Sequence, residues 1–291
     1  MTTLHAPVLD WYAENSRDLP WRRPEASAWS VLVSEVMLQQ TPVVRVLPVH
    51  QQWMERWPKP GDLAAEPAGE AVRAWGRLGY PRRALRLHAA ATAIVERYAG
   101  ELPESYDELL TLPGVGDYTA AAVAAFAFGQ RQVVLDTNVR RVLARVLAGT
   151  ELPPASVTRA ERAAAEAVLP SVASGAAPTW SVAVMELGAL VCHASAPRCG
   201  ECPVVDSCAW HAAGRPAHTG APRRAQAWQG TDRQCRGRLL AVVRDSQEPV
   251  HVSRLEAAWP GDPAQRARAL ESLVRDGLVV RRSVATYGLS G

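Results

Sequence analysis

The sequence predicts an all-α catalytic core followed by a small C-terminal winged-helix-like domain. Ala- and Leu-rich stretches, punctuated by proline and glycine, fill the first two-thirds of the 291-residue chain with few strand-like alternations. The pattern changes after a Gly- and Pro-bearing segment near residue 220. Four of the five cysteines, Cys192 to Cys208, crowd into one short stretch between the two regions.

Ala89–Tyr98, Thr119–Phe128 and Val139–Leu147 carry apolar residues at helical spacing, and Pro103, Pro113, Pro153 and Pro170 mark where helices stop. Between the helical Tyr106–Thr111 and a helix starting near Tyr118 lies Leu112-Pro113-Gly114-Val115-Gly116. Its two glycines permit positive φ, and such a turn aims backbone N–H groups from a helix N-terminus at a phosphate, without regard to base sequence. An ordinary helix–helix turn explains the same residues. Residues 213–232, with Gly214, Pro216, Gly220, Pro222 and Gly230, read as a linker. Beyond it, Gly237–Arg244, Val252–Trp259 and Ala264–Arg275 read as three short helices, stopped by Gly277 and followed by β-prone Leu278–Arg282. That is the plan of a winged helix-turn-helix over 233–291, a module that binds DNA or serves as a protein-binding or packing unit.

No run of eighteen apolar residues and no signal-peptide region occur, so a cytoplasmic protein without membrane attachment is expected. Residues 213–291 hold 13 basic and 7 acidic side chains within a chain of net charge +3. That excess suits a polyanion such as DNA, and equally a solvated arginine-rich surface. Lys59 is the only lysine. Arginine is no amine nucleophile, so Schiff-base chemistry has one side-chain candidate besides the terminal amine.

The cysteines run Cys192-x6-Cys199-x2-Cys202-x5-Cys208, with Pro203 after the third. Structural zinc sites show two close pairs, whereas here only one pair is tight; four thiolates from one loop suit a [4Fe–4S] cubane. Cys235 lies outside the pattern. No nucleotide-binding glycine fingerprint accompanies the cysteines, which favours a structural cluster that staples the loop and presents His193 and Arg198 to a phosphate backbone.

Asp136 follows Val133-Val134-Leu135 at a helix start, where an acidic residue reads first as an N-cap. Together, however, Leu-Pro-Gly-Val-Gly, the Ala-rich helix and Val134-Leu135-Asp136-Thr137-Asn138-Val139 resemble the helix-hairpin-helix DNA glycosylase superfamily. The cysteine spacing is similar to that of its endonuclease III and MutY branches. The resemblance implies that Asp136 stabilises a developing oxocarbenium ion and that Asn138 orients it. Ser34-Glu35-Val36-Met37-Leu38-Gln39-Gln40-Thr41 resembles the signature of the MutY type, the adenine-removing branch. Glu35 would there be the general acid that protonates adenine N7, which requires a raised pKa in a dry pocket. Tyr118 stands where endonuclease III-type lyases carry a lysine, which implies base removal without strand cleavage.

The same resemblance places Arg17, Trp21, Arg22 and the position of Val182 in the base pocket. It gives Gln39, Gln40 and Tyr80, with the hairpin residues Leu112, Gly114, Val115 and Gly116, to DNA binding, Gln40 and Tyr80 filling the stack at the flipped base. It covers residues 11–210 and implies two lobes with the active site in the cleft between them. One is a six-helix barrel at 22–137; the other joins 1–21 to 138–212 and holds the cluster. The implied reaction, in base excision repair, is hydrolytic release of adenine mispaired with 8-oxoguanine or guanine in double-stranded DNA, by a monomer.

Three departures stand out. Pro81 follows Tyr80 where relatives carry a second tyrosine, Val182 stands where many relatives carry a Gln or Glu, and residues 233–291 do not resemble the nucleotide-pyrophosphohydrolase-like domain that inspects 8-oxoguanine. A G·T mismatch thymine glycosylase on the same scaffold remains an alternative, although it does not need Glu35. So does a non-catalytic nucleic-acid-binding protein with a redox-sensing cluster.

Overall fold

The computed structural model describes residues 4–220 and 228–291; residues 221–227 of the expected linker lie outside the described residues. In chain order the described helices are α1 (His5–Asn15), α2 (Ala28–Leu38), α3 (Val43–Arg56), α4 (Pro60–Ala64), α5 (Ala68–Trp75), α6 (Arg82–Tyr98), α7 (Tyr106–Leu110), α8 (Asp117–Phe126), α9 (Thr137–Ala148), α10 (Arg159–Val168), α11 (Ala177–Leu190) and α12 (Ala209–Ala212). The chain then runs α13 (Asp232–Arg244), β1 (Val250–His251), α14 (Val252–Ala258), α15 (Pro263–Arg275), β2 (Val279–Arg281) and β3 (Thr286–Leu289). No described helix is long and apolar enough to cross a membrane.

Packing divides the chain into two compact units. The first comprises Met1–Val31, Glu104–Leu110 and Val115–Pro222. Its core forms where α9 turns Val139, Val142 and Val146 toward Trp180, Ala183, Val184 and Leu187 of α11, with Val8 of α1 and Trp210 of α12 closing it. The 3.6-residue period puts those valines on one stripe. Helix α9 starts sharply because Asp136 accepts from Val139 N, and it ends at Gly149 in the left-handed conformation, φ 65°. Thr158 and Glu161 form a reciprocal capping box on α10. Helix α8 buries Thr119 through Ala125, and small side chains there let Tyr118, Phe126, Val134 and Met185 pack closely around it.

The second unit comprises Leu32–Pro103, Thr111–Gly114 and Arg223–Gly291. Trp53 and Trp57 meet edge to face at 4.7 Å, and Trp53 meets Trp75 at 5.8 Å; all three are buried. Helix α6 packs on α4 and α5 and buries Ala84, Leu87, Ala91 and Ile94. The C-terminal strands form an antiparallel sheet in the order β1-β3-β2, with Val250 opposite Tyr287 and Val279 opposite Leu289.

These units divide the chain elsewhere than the domains expected at 22–137, 1–21 with 138–212, and 233–291. Helices α7 and α8 fall in the same unit as the cysteine-bearing segment, where the alanines of α8 pack with Tyr106 of α7, Val134 and Met185. The C-terminal residues pack onto α5 and the turn after it. Gly69 N donates to Ser290 O at 2.5 Å, Arg73 Nη1 donates to Arg244 O and to Ser246 O, and Arg244 Nη1 returns a bond to Gly76 O at 2.6 Å.

Candidate active site and cysteine centre

In the first unit, Asp136 sits at the N-cap of α9 with its carboxylate almost fully committed. Oδ1 accepts from Val139 N at 2.6 Å and Oδ2 from Asn138 Nδ2 at 2.8 Å. Arg141 Nη2 donates to Asn138 Oδ1 at 2.8 Å and to Gly188 O at 2.7 Å, while its Nε reaches Cys192 O at 2.7 Å. Burial pushes the Asp136 carboxyl above its usual value, against the Val139 N–H, the Asn138 amide and the Arg141 charge, which pull it down. A part-buried carboxylate with fixed donors is a preorganised site of negative charge beside which a cation is stabilised. Tyr118, on α8, packs half-buried in the small core that also holds Val134, two residues before Asp136.

Arg17 and Arg22 meet at a residue that sequence reasoning missed. Glu186 on α11 accepts from Arg17 Nε at 2.6 Å and Nη2 at 2.7 Å, and from Arg22 Nη2 at 2.9 Å. Burial alone opposes ionisation of Glu186; the hydrogen bonds and charges of Arg17 and Arg22 outweigh it and hold the carboxyl down at about 2. These guanidiniums are therefore engaged with a carboxylate, and they tie the turn Pro20–Arg22, with its buried Trp21, to α11. Val182 stands one helical turn before Glu186 on that helix, half-buried. The available signal was an acidic residue between Met185 and Leu187 in an otherwise apolar run.

In the second unit, Glu35 is 4% exposed within a stretch of α2 whose neighbours Leu32, Val33, Val36 and Met37 are buried. Without the resemblance it would read as a solvent-facing helix residue, and burial contradicts that. Gln39 and Gln40 follow at the end of α2, Gln40 with φ 55°. Arg83 on α6, also unforeseen, collects Val36 O at 2.9 Å, Met37 O at 3.1 Å, Gln39 O at 2.5 Å, Thr41 Oγ1 at 3.0 Å and Gly79 O at 3.1 Å. One guanidinium thus binds the turn carrying Gln40 to the turn carrying Tyr80. Burial lowers its pKa to about 10.

The hairpin differs in detail from expectation. Gly114 has φ 79°, and a Cβ there would meet Arg86 Cβ at 2.6 Å, so no other residue fits. Gly116 instead has φ −107° and ψ 179°, an extended N-cap for α8. Leu112 and Val115 are buried, which leaves the turn's backbone rather than these side chains to meet a ligand.

Cys192, Cys199, Cys202 and Cys208 all line one cavity, together with Val142, Arg145, Leu187, Val204 and Trp210. Among the described residues no three His, Cys, Asp or Glu side chains gather tightly enough for a single metal ion. Burial raises the Cys192 and Cys202 thiols, the latter to about 11. Arg145, itself buried, places Nη1 3.2 Å from Cys192 Sγ and donates to His193 O at 2.7 Å and Ala194 O at 3.1 Å, so it braces the start of the loop. Arg198, expected to face a phosphate, pairs with Glu201 at 2.8 Å. Cys235 is buried in α13 of the other unit.

A helical scaffold with a glycine-bearing hairpin, a part-buried carboxylate at a helix N-cap and a four-cysteine loop defines a class. Residues 33–167 match the HhH-GPD superfamily of base excision DNA repair proteins, and the chain belongs to that family. Within it, the chain is 53% identical to the adenine DNA glycosylase of Mycolicibacterium smegmatis over 98% of its own length and 95% of that protein's. It is 52% identical to the adenine DNA glycosylase of Mycobacterium tuberculosis, over 98% of this chain and 92% of that one. Among solved structures it is similar to a thermostable thymine-DNA glycosylase, with a TM-score of 0.65, 25% identity, and coverage of 73% of this chain and 96% of that chain.

Proposed function

We propose that the chain is a monofunctional adenine DNA glycosylase, acting as a monomer on adenine mispaired with 8-oxoguanine or guanine in double-stranded DNA. The observation that carries this reading is the Asp136 carboxylate, part-buried and held by two donors at the start of α9. It is joined by a buried Glu35 in the segment that resembles the adenine-removing branch. The identity shared with adenine DNA glycosylases, which extends into the C-terminal residues, supports adenine over thymine.

In the proposed mechanism the adenine nucleotide leaves the stack, at an unstacking cost of a few kcal/mol. Gln40 and Tyr80 fill the gap. Glu35 donates a proton to N7, the N9–C1′ bond breaks with its electron pair passing to the base, and water adds to the oxocarbenium carbon. The ionised Asp136 lowers the energy of that cation, and the proton lost by the water restores Glu35. General acid catalysis contributes about 10²–10⁴-fold. Tyr118 offers no amine, and Lys59, the one lysine of the sequence, is exposed at the N-cap of α4, which supports water rather than a lysine as the sugar's acceptor and an intact strand. Arg17 and Arg22, locked on Glu186, hold Trp21 at the base pocket, with Val182 on the same helix.

The cysteine set suits a [4Fe–4S] cluster: four thiols from one loop border one cavity, and Arg145 lies beside one of them. When bound, the cluster cross-links the loop Cys192–Cys208. We read residues 233–291 as a winged-helix module from its three helices and the β1-β3-β2 sheet.

The test uses end-labelled duplexes holding 8-oxoguanine·A, G·A, G·T or an oxidised pyrimidine, each split with and without hot alkali. Cleavage at adenine only after alkali is the expected result. Nicking without alkali would refute the monofunctional assignment, and cleavage at G·T alone would favour the thymine glycosylase.

A further inference from the structure

Arginine and aromatic side chains alternate across the second unit, from its interior to its surface. Arg83 lies 5.1 Å from the ring centre of buried Trp75 and 5.4 Å from that of Tyr80. Arg233, on α13, lies 5.2 Å from the Tyr80 ring and 5.5 Å from the Trp228 ring. Tyr80 is 46% exposed and Trp228 54% exposed, so the outer half of this ladder faces solvent.

Neighbouring arginines are already committed. Arg236 pairs with Asp276 and Ser272, Arg82 also reaches Asp276, and Arg244 and Arg73 stitch α13 to the turn that carries Tyr80. Arg233 has no ion pair among the described residues. The adjacent carboxylate, Asp232, is turned to Gln265 at 2.9 Å and Arg268 at 3.7 Å. A guanidinium stacked on aromatic faces keeps its N–H edge free, in the fork geometry that matches a phosphate. The surrounding segment, residues 213–291, carries 13 basic against 7 acidic side chains.

We propose that Arg233, held between Tyr80 and Trp228, contacts a DNA backbone phosphate beside the flipped nucleotide, so that the C-terminal module continues the DNA-binding face started by Tyr80. This rests on the proposed glycosylase function only for the place of Tyr80 at the lesion. The stitched contacts among Arg73, Gly76 and Arg244 hold α13 in place, so the guanidinium is preorganised for the contact. A phosphate contact is independent of sequence, and it is distinguishable from base reading by its response to salt.

The experiment measures Kd of full-length protein across a salt series for two duplexes. One is fully matched; the other carries 2′-fluoro-2′-deoxyadenosine, which resists cleavage, opposite 8-oxoguanine. The variants are Arg233→Gln and Arg233→Lys, with urea midpoints to confirm folding. For Arg233→Gln the expected result is binding about tenfold weaker on both duplexes, with the slope of log Kd against log salt reduced by about one. Arg233→Lys should retain the slope. An unchanged slope in Arg233→Gln, or a loss confined to the 8-oxoguanine duplex, would overturn the proposal. The matched-duplex slope needs no base release, so a protein that fails to excise adenine would refute the glycosylase reading without deciding this one.

Discussion

The side-chain amide of Asn138 donates to Asp136 Oδ2 at 2.8 Å, and Arg141 fixes which end of that amide faces the carboxylate. A guanidinium can only donate, so Asn138 Oδ1 must face Arg141 and its NH2 must face Asp136. The arrangement leaves little room: a Cβ at Gly188 would come within 2.6 Å of Asn138 Cβ. Replacing Asn138 by Leu removes the donor and the orientation together. Adenine release under single turnover is expected to fall about 10²-fold, with a stability loss of about 1–2 kcal/mol by urea unfolding. A rate within twofold of wild type would show that the pair does not serve the reaction.

The same network sets a pH dependence. Burial raises the Asp136 pKa while the Arg141 charge restrains it. If the ionised carboxylate is the active form, the rate falls as pH drops through that raised pKa, at a pH above the roughly 3.9 of a free aspartate. Removing the restraint in Arg141→Ala leaves burial unopposed by that charge, so the acid limb should move to higher pH. A pH–rate profile of the two proteins on a single mispaired duplex checks the direction; movement to lower pH contradicts it.

Glu186 works in the opposite sense. Its folded pKa of about 2 lies below the ordinary 4.5. The stabilisation is therefore complete above pH 4.5 and is lost as pH falls towards 2. Glu186→Gln strands two partly buried guanidiniums and should cost about 3–5 kcal/mol at neutral pH. Urea unfolding of both proteins between neutral pH and pH 2 should show that difference shrinking only in the acid window. A difference that stays constant to pH 2 would exclude the ion pairs as its cause.

Gly114→Ala places a methyl group against Arg86 in a backbone conformation with φ 79°. The strain is of the order of 1–3 kcal/mol, and the hairpin must shift to relieve it. Matched-duplex binding should weaken along with stability. Unaltered binding in a folded variant would remove the hairpin from the DNA-binding face.

What the sequence made legible was chemistry carried by motif. The cysteine spacing, the hairpin glycines and Asp136 at a helix start are local features whose neighbours in sequence are also their neighbours in space. Glu186 and Arg83 were not legible, because their partners lie far along the chain. Arg17 and Arg22 are more than 160 positions from Glu186, and Arg83 gathers carbonyls from the end of α2 and the turn after it, some 45 residues earlier. Periodicity marks a buried face but does not say which distant charge it receives. The C-terminal helices were readable for the same local reasons as α9. Their packing onto α5 through Gly69, Arg73 and Gly76 was not, since nothing in either segment's own pattern identifies the other.

The central claim is base release at adenine by Glu35 and Asp136 without strand scission. The most direct measurement identifies the free base liberated from an 8-oxoguanine·A duplex under single turnover, with strand integrity followed in the same samples. The account predicts one adenine released per duplex and an intact strand until alkali is added, with Glu35→Gln and Asp136→Asn each slower by at least about 10²-fold. Release of thymine, nicking in step with base release, or full activity in both variants would contradict it.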